Sequence, residues 1–229
     1  MAADSHFTRG TFDFLRDLAR NNDRDWFNAN KDRYEGKIRD PALGFIQDFG
    51  PRLENLSPHF RADPRASGGS LFRIYRDVRF SKDKSPYKTH TGIQFRHEMG
   101  KDAHAPGFYL HLEPKGSFVG IGIWRPDGPT VRAIREAIVE DPAAWKKATS
   151  GTGFRKRFQL SGHRLVRAPR GFDPQHPLVE DLKWKDFVAT APLTEKTVTS
   201  SGFIKEYAAF CRAGLPYVSF LCRALELPV

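Results

Sequence analysis

Phe108-Tyr109-Leu110-His111-Leu112-Glu113-Pro114-Lys115-Gly116-Ser117-Phe118-Val119-Gly120-Ile121-Gly122-Ile123-Trp124 alternates, turns and returns. Phe108, Leu110 and Leu112 fall on one side, with Tyr109, His111 and Glu113 on the other. That two-residue period marks a half-buried strand. Pro114 to Ser117 supplies a four-residue turn, so Phe118 to Trp124 reads as the antiparallel partner. Closing the hairpin there pairs 113 with 118, 111 with 120 and 109 with 122. Gly120 and Gly122 would then sit opposite His111 and Tyr109, with Trp124 on the same face. Two positions without side chains beside large polar aromatics predict a shallow hollow where a backbone or ligand approaches.

Upstream the alternation continues. Between Leu71 and Phe80, Phe72, Ile74, Val78 and Phe80 share one side, while Arg73, Tyr75, Asp77 and Arg79 share the other. Arg76 interrupts the apolar side. Gly92 to Arg96 adds a strand with Ile93 and Phe95 inward, which gives a four-stranded meander around 71–124. The first sixty residues carry helical spacing instead. Thr11 caps a helix bearing Phe12, Leu15, Leu18 and Ala19, and Asp23 caps a second with Trp26, Phe27, Tyr34 and Ile38. Pro41 opens a third, striped by Leu43, Ile46, Phe49, Leu53 and Leu56. Downstream, a helix from Thr130 and another from Pro142 through Trp145 precede an irregular stretch, Gly151 to Phe187, with strand-like Leu165-Val166. Phe203 to Leu225 is helical with a break at Gly214-Leu215-Pro216.

The expected fold is a single α+β domain over 1–229: helical at 8–57, a sheet core at 70–126, and a helical and irregular part at 128–229. An antiparallel sheet of at least four strands packs its apolar face on the N-terminal helices, and the C-terminal helices complete the core. With 229 residues, 39% apolar side chains and 19 Phe, the chain has material for one such core. No run approaches the roughly 18 apolar residues of a membrane-spanning helix. Met1-Ala2-Ala3-Asp4-Ser5-His6 has neither the basic nor the apolar region of a secretory signal, so the expected compartment is the cytoplasm and no membrane partner is expected. Cys211 and Cys222 form no Cys-x-x-Cys pair and read as buried free thiols.

Charge is concentrated. The chain has 37 basic against 27 acidic side chains, a net of +10. Residues 61–101 hold ten basic and four acidic groups, and 151–172 hold six basic groups and no acid. Combined with the strand parity, this suggests an anionic small-molecule site, for a phosphate- or carboxylate-bearing compound, on a basic, aromatic-lined sheet face. Its expected members are Arg73, Tyr75, Asp77, Arg79, Tyr109, His111 and Trp124, with Lys84 and Lys88 at the rim. Arg73 and Arg79 would clamp the anion, Trp124 would stack, and His111 would move a proton if chemistry occurs, with Asp77 and Tyr75 as further acid–base candidates. Two plainer arrangements remain open: a solvated outer face, or a covered face whose polar groups satisfy one another.

Other motifs carry less. Ser81/Lys84 and Ser85/Lys88 repeat a Ser-x-x-Lys spacing, but Pro86 and the missing companion motifs argue against a serine nucleophile. His90, His97, His104 and His111 recur every seven residues, yet Gly100, Pro106 and the strand pattern forbid one helix, so the period aligns nothing. A loop set of His97, Glu98, Asp102 and His104 has no recognised ligand spacing; no metal or cofactor is expected. Arg155-Lys156-Arg157, Arg164, Arg167 and Arg170, interleaved with Phe154, Phe158 and Phe172, support an alternative: a nucleic-acid-associated protein working through 61–101 and 151–172. A scaffold presenting the polar face to another chain is a third class. The sequence sets neither the oligomeric state nor whether catalysis occurs.

Four stretches carry a family resemblance: Trp26-Phe27-x-x-Asn30-Lys31, Phe72 through Thr89, Gly107-Phe108-Tyr109-Leu110-His111-Leu112, and Pro169-Arg170-Gly171-Phe172-Asp173-Pro174-x-His176-Pro177. Together they resemble the family called domain of unknown function 2461, over roughly Phe7 to Leu225. The resemblance implies a stand-alone, mostly bacterial protein of one conserved architecture. It carries over no activity and no residue roles.

Overall fold

The computed structural model describes residues 5–100 and 105–229. Helix α1, Arg9–Arg20, buries Phe12, Phe14, Leu15 and Leu18. Its cap is Thr8; Thr11, expected to cap it, lies inside the first turn and is buried. Asp23 caps α2, Arg24–Ala29, by accepting from the Trp26 amide at 2.8 Å.

Helix α3, Lys31–Tyr34, runs through a π-helical turn, Glu35–Arg39, straight into α4, Asp40–Glu54. Pro41 therefore stands in the first turn of α4, as expected, but α4 continues from the π-helical turn without a break. Proline has no N–H for the Lys37 carbonyl four residues back. The Thr11 hydroxyl, donating to that carbonyl at 3.0 Å, takes the amide's place. The wider turn between Asp40 N–H and the Glu35 carbonyl absorbs the misfit. Helix α4 then buries Ala42, Phe45, Ile46, Phe49 and Leu53, with Leu43 and Leu56 half-buried at its margin.

Five antiparallel strands make the sheet: β1 Thr91–Arg96, β2 Gly107–Leu112, β3 Phe118–Ile123, β4 Gln159–Ser161 and β5 Phe187–Pro192, in the order β1-β2-β3-β5-β4. The meander holds for β1 to β3 only. Residues 71–80 form no strand of it and make just two isolated bridges, Leu71 with Ile93 and Tyr75 with Tyr87. The chain leaves the sheet because it folds onto its own return limb, with Arg76 N–H on the Pro86 carbonyl and Lys88 N–H on the Ile74 carbonyl. Asp77 and Asp83 accept from the Arg79 and Ser85 amides two residues on, which competes with a ladder. Phe80, expected inward, is 96% exposed. Strand β4 comes from the stretch that read as irregular, and β5 begins at that stretch's last residue. Leu165-Val166 is not a strand, and Val166 lies in solvent.

The β2–β3 hairpin pairs His111 with Phe118, Tyr109 with Gly120 and Gly107 with Gly122, two residues from the expected register. The turn consumes Glu113 as well: Gly116 N–H closes on the Glu113 carbonyl, and the Ser117 hydroxyl bonds both backbone groups of Glu113. A two-residue shift keeps every side chain on its expected face.

Helix α5, Gly128–Glu140, is capped by Asp127, and α6, Pro142–Ser150, by Asp141. Short helices α7 Thr152–Arg157, α8 Val179–Leu182 and α9 Glu195–Val198 lead to α10, Phe203–Ala224. That last helix passes through Pro216 without the expected break. Gly214 serves packing instead: a Cβ there would come 2.7 Å from Ile121 Cδ1, so the bare backbone lets α10 lie close on β3. The apolar sheet face meets α4 and α10 through Phe95, Phe49 and Tyr207, with rings 4.8 to 5.9 Å apart. A smaller cluster joins α1 and α2 to the 74–87 loop, centred on Phe27 stacked on Tyr87 at 4.0 Å. Cys211 and Cys222 are buried and free. Among the described residues no helix is long and apolar enough to cross a membrane.

Candidate functional site

The other face of the sheet carries the polar aromatic residues. Tyr109 and His111 rise from β2, and Phe118 and Gly120 from β3. One glycine, Gly92, makes room for the phenol. A Cβ at Gly92 would lie 2.5 Å from the Tyr109 hydroxyl and 2.9 Å from Phe72, while one at Gly120 would touch the ring at 3.4 Å. The Tyr109 oxygen lies 3.1 Å from His111 Nδ1, and His111 Nε2 lies 3.2 Å from Glu113 Oε2. The three residues alternate along β2 and its end, as the strand period requires.

Two further rings flank His111: Phe118 at 4.6 Å and 15°, and His90 at 4.4 Å and 30°. His90 comes from the chain just before β1. Since Thr91 pairs with Leu112, the next position outward sets His90 beside Glu113. His90, His111 and Glu113 each offer one ligand atom, and the three atoms lie within 4.8 Å of one another.

Desolvation governs the protonation states. Burial pushes His90 down from 6.5 to about 4, helped by His111 and Lys88 and opposed by Glu113. It also lowers His111, against the Glu113 hydrogen bond, and raises the Tyr109 phenol. Near pH 7 both imidazoles are neutral and the phenol keeps its proton. One tautomer of His111 satisfies both neighbours: Tyr109 O–H donates to Nδ1, and Nε2–H donates to Glu113. Lys88 adjoins the group through Phe72, with Nζ 5.6 Å over that ring, which in turn lies 5.9 Å from Tyr109. Its ammonium donates to the Arg73 carbonyl at 2.8 Å, and desolvation and the Arg73 charge lower its pKa.

The other expected members lie apart. Arg79 is paired with Asp77 at 2.7 Å with its side chain 76% exposed, so it does not join Arg73 in a clamp. That pairing holds the Asp77 carboxyl at about 2. Lys84 donates to the Val78 carbonyl. Tyr75 is half exposed against Tyr87 and Phe27. Arg73 is exposed. Trp124, just past the end of β3, is half exposed, with the Arg125 guanidinium 4.5 Å over its ring. For Arg73, Tyr75, Asp77 and Arg79 the cause is the 71–80 segment: outside the sheet, its odd-numbered residues need not point with those of β2.

His90 and Phe118 were absent from the expected set, and Glu113 entered it only as a face residue. The signal for His90 was the strand register and not the seven-residue spacing. His97 is fully buried and engaged, its Nε2 on the Pro228 carbonyl and its Nδ1 accepting from the Met99 amide. Asp102 and His104 of the expected loop set lie outside the described residues. In the basic segment, Phe154 and Phe158 are core residues and Phe172 is partly buried. Arg157 pairs with Glu206 and Arg164 with Glu180. A surface depression between α1 and α9 is lined by ion-paired groups, Arg16 with Glu195 and Asp13 foremost.

Residues 10–220 match the model of a family described as conserved hypothetical protein (DUF2461). No curated protein and no solved structure matches the chain.

Proposed function

The chain belongs to the DUF2461 family of conserved hypothetical proteins, and from its site we propose that the polar sheet face binds a small phosphate- or carboxylate-bearing molecule. The observation that carries this reading is the desolvated Tyr109–His111–Glu113 chain beside Lys88. Lys88 supplies the attraction, since an ammonium held in a low-dielectric setting gains more from an anion than a solvated one does. Arg73, whose charge is felt at Lys88, adds to the same field. His111 can exchange a proton with the bound group because its ring is neutral near pH 7. Arg79, Asp77, Lys84 and Tyr75 drop out of this shell, being set apart in the 75–84 loop. The nucleic-acid alternative loses two stacking platforms to the core, and two of its six cations in 151–172 are already paired.

Calorimetric titration with inorganic phosphate and with succinate tests the reading. A charge-assisted contact contributes about 1.5–3 kcal/mol, so Lys88→Ala should weaken binding roughly tenfold to a hundredfold. Arg79→Ala should leave it unchanged. Absence of binding with both probes, or an affinity indifferent to Lys88→Ala, would refute it.

A further inference from the structure

We propose that His90, His111 and Glu113 form a site for one divalent first-row transition ion, of which Zn²⁺ is the reference case. The donor set is two imidazoles and one carboxylate, which suits such ions and leaves coordination positions open for water or an anion. The geometry is nearly in place. Ligand atoms bound at about 2.0–2.2 Å lie at most about 4.4 Å apart, and about 3.4 Å apart in a tetrahedron. His111 Nε2 and Glu113 Oε2 are at 3.2 Å, and all three atoms fall within 4.8 Å. The longest separation must close by about 0.4 Å for ligands opposite one another and by up to about 1.4 Å for a tetrahedron.

Three features favour an ion over a self-contained hydrogen-bonded cluster. Neither nitrogen of His90 has a hydrogen-bond partner among the described residues, although its ring is packed against His111. The His111–Glu113 contact uses only one carboxylate oxygen and a proton that an ion can replace. Tyr109 sits on the far nitrogen: with the ion on Nε2, the ring proton moves to Nδ1 and donates to the phenol oxygen. That outer contact fixes the ring's orientation and tautomer, the role such partners serve at metal-bound histidines. Two of the ligands come from rigid ends, β2 and the start of β1, joined by the Thr91–Leu112 pair.

This inference shares His111 with the anion reading but does not depend on it, so the probe is the metal alone. Chelator-treated full-length protein in phosphate-free buffer is titrated with Zn²⁺ by calorimetry and with Co²⁺ by visible absorption. The expected result is one equivalent bound, with cobalt bands of low coordination number that Zn²⁺ abolishes. His90→Ala and Glu113→Gln should each weaken affinity a hundredfold or more, and Tyr109→Phe roughly tenfold to a hundredfold. His163→Ala, at an exposed histidine paired with Asp186, should change nothing. In the unmutated protein, the ring signals of His90 and His111 should move together on adding one equivalent of Zn²⁺, a readout independent of how the variants fold. No saturable binding overturns the proposal, as does binding that His90→Ala and Glu113→Gln leave intact or that moves neither ring. Metal binding without phosphate or succinate binding would refute the anion reading alone, and the reverse would refute this one alone.

Discussion

Acid should act on this fold through His90, and the effect has a size. In the folded chain burial depresses this imidazole to about 4 from the 6.5 of a solvated one. A depressed pKa means that the unfolded state binds the proton first. The stabilisation is therefore whole above pH 6.5 and is lost as pH falls toward 4. At about 1.4 kcal/mol for each pH unit the gap corresponds to about 3 kcal/mol. Water reaching the partly exposed ring, and the response of His111 once its neighbour is gone, reduce this to about 2 kcal/mol. The perturbation is His90→Gln, which cannot be charged, compared with the unmutated chain in the presence of a chelator. Urea unfolding at pH 7 and near pH 4 gives four free energies. The unmutated protein's advantage over the variant should shrink by about 2 kcal/mol between them; His97 and the carboxylates are common to both proteins and cancel. Parallel pH profiles would show that His90 is solvated as an ordinary surface histidine, and the packing drawn around it would be wrong.

Gly92→Ala places a Cβ 2.5 Å from the Tyr109 hydroxyl and should displace the phenol from His111. The expected cost is about 1–3 kcal/mol in chemical denaturation, reduced when Tyr109→Phe is combined with it. Thr11→Val strips the Lys37 carbonyl of its donor beside Pro41, and should cost about 1–3 kcal/mol with helical content retained by circular dichroism. Gly122 combines a φ of +106° with a Cβ position 2.0 Å from the Phe187 carbonyl. Gly122→Ala should therefore split β3 from β5 and lower stability by about 3 kcal/mol or more, read as a lost or broadened thermal transition.

What the sequence showed and hid follows from which interactions are local. Strand parity is a property of one segment, so Tyr109 and His111 could be assigned a face from the Phe108–Leu112 alternation alone. The register of their hairpin was legible only to within two residues, because the Ser117 hydroxyl helps draw Glu113 into the turn, a side-chain contact that alternation does not show. Residues 71–80 misled for the opposite reason. They alternate, but alternation does not supply a pairing partner, and Asp77 and Asp83 spend their carboxylates on nearby amides. Arg79 then found Asp77 two residues away, and the clamp expected of it dissolved into a local ion pair. Strand β5 was hidden because its inward positions are Phe187, Ala189 and Ala191, two of them small, and it ends in Pro192. His90 could be seen only once β1 and β2 were paired, since nothing in the spacing of 90 and 111 brings the two rings together.

The two faces of this sheet make opposite demands on stability. The face toward α4 and α10 is apolar and interdigitated, and each side chain there adds to the folding free energy by leaving water. The other face holds a phenol and two imidazoles whose burial shifts each of them away from its solvated pKa. Near pH 7 all three are neutral whether folded or not, so the cost lies in taking their polar atoms out of water, which apolar side chains packed against Phe118 and Phe72 at the same positions would avoid. Gly92 deepens the cost, since it forfeits strand propensity to admit the Tyr109 ring. Convergence of such groups with their nitrogens and a carboxylate within 4.8 Å is the pattern expected where a bound ion or anion offsets the cost of burying them.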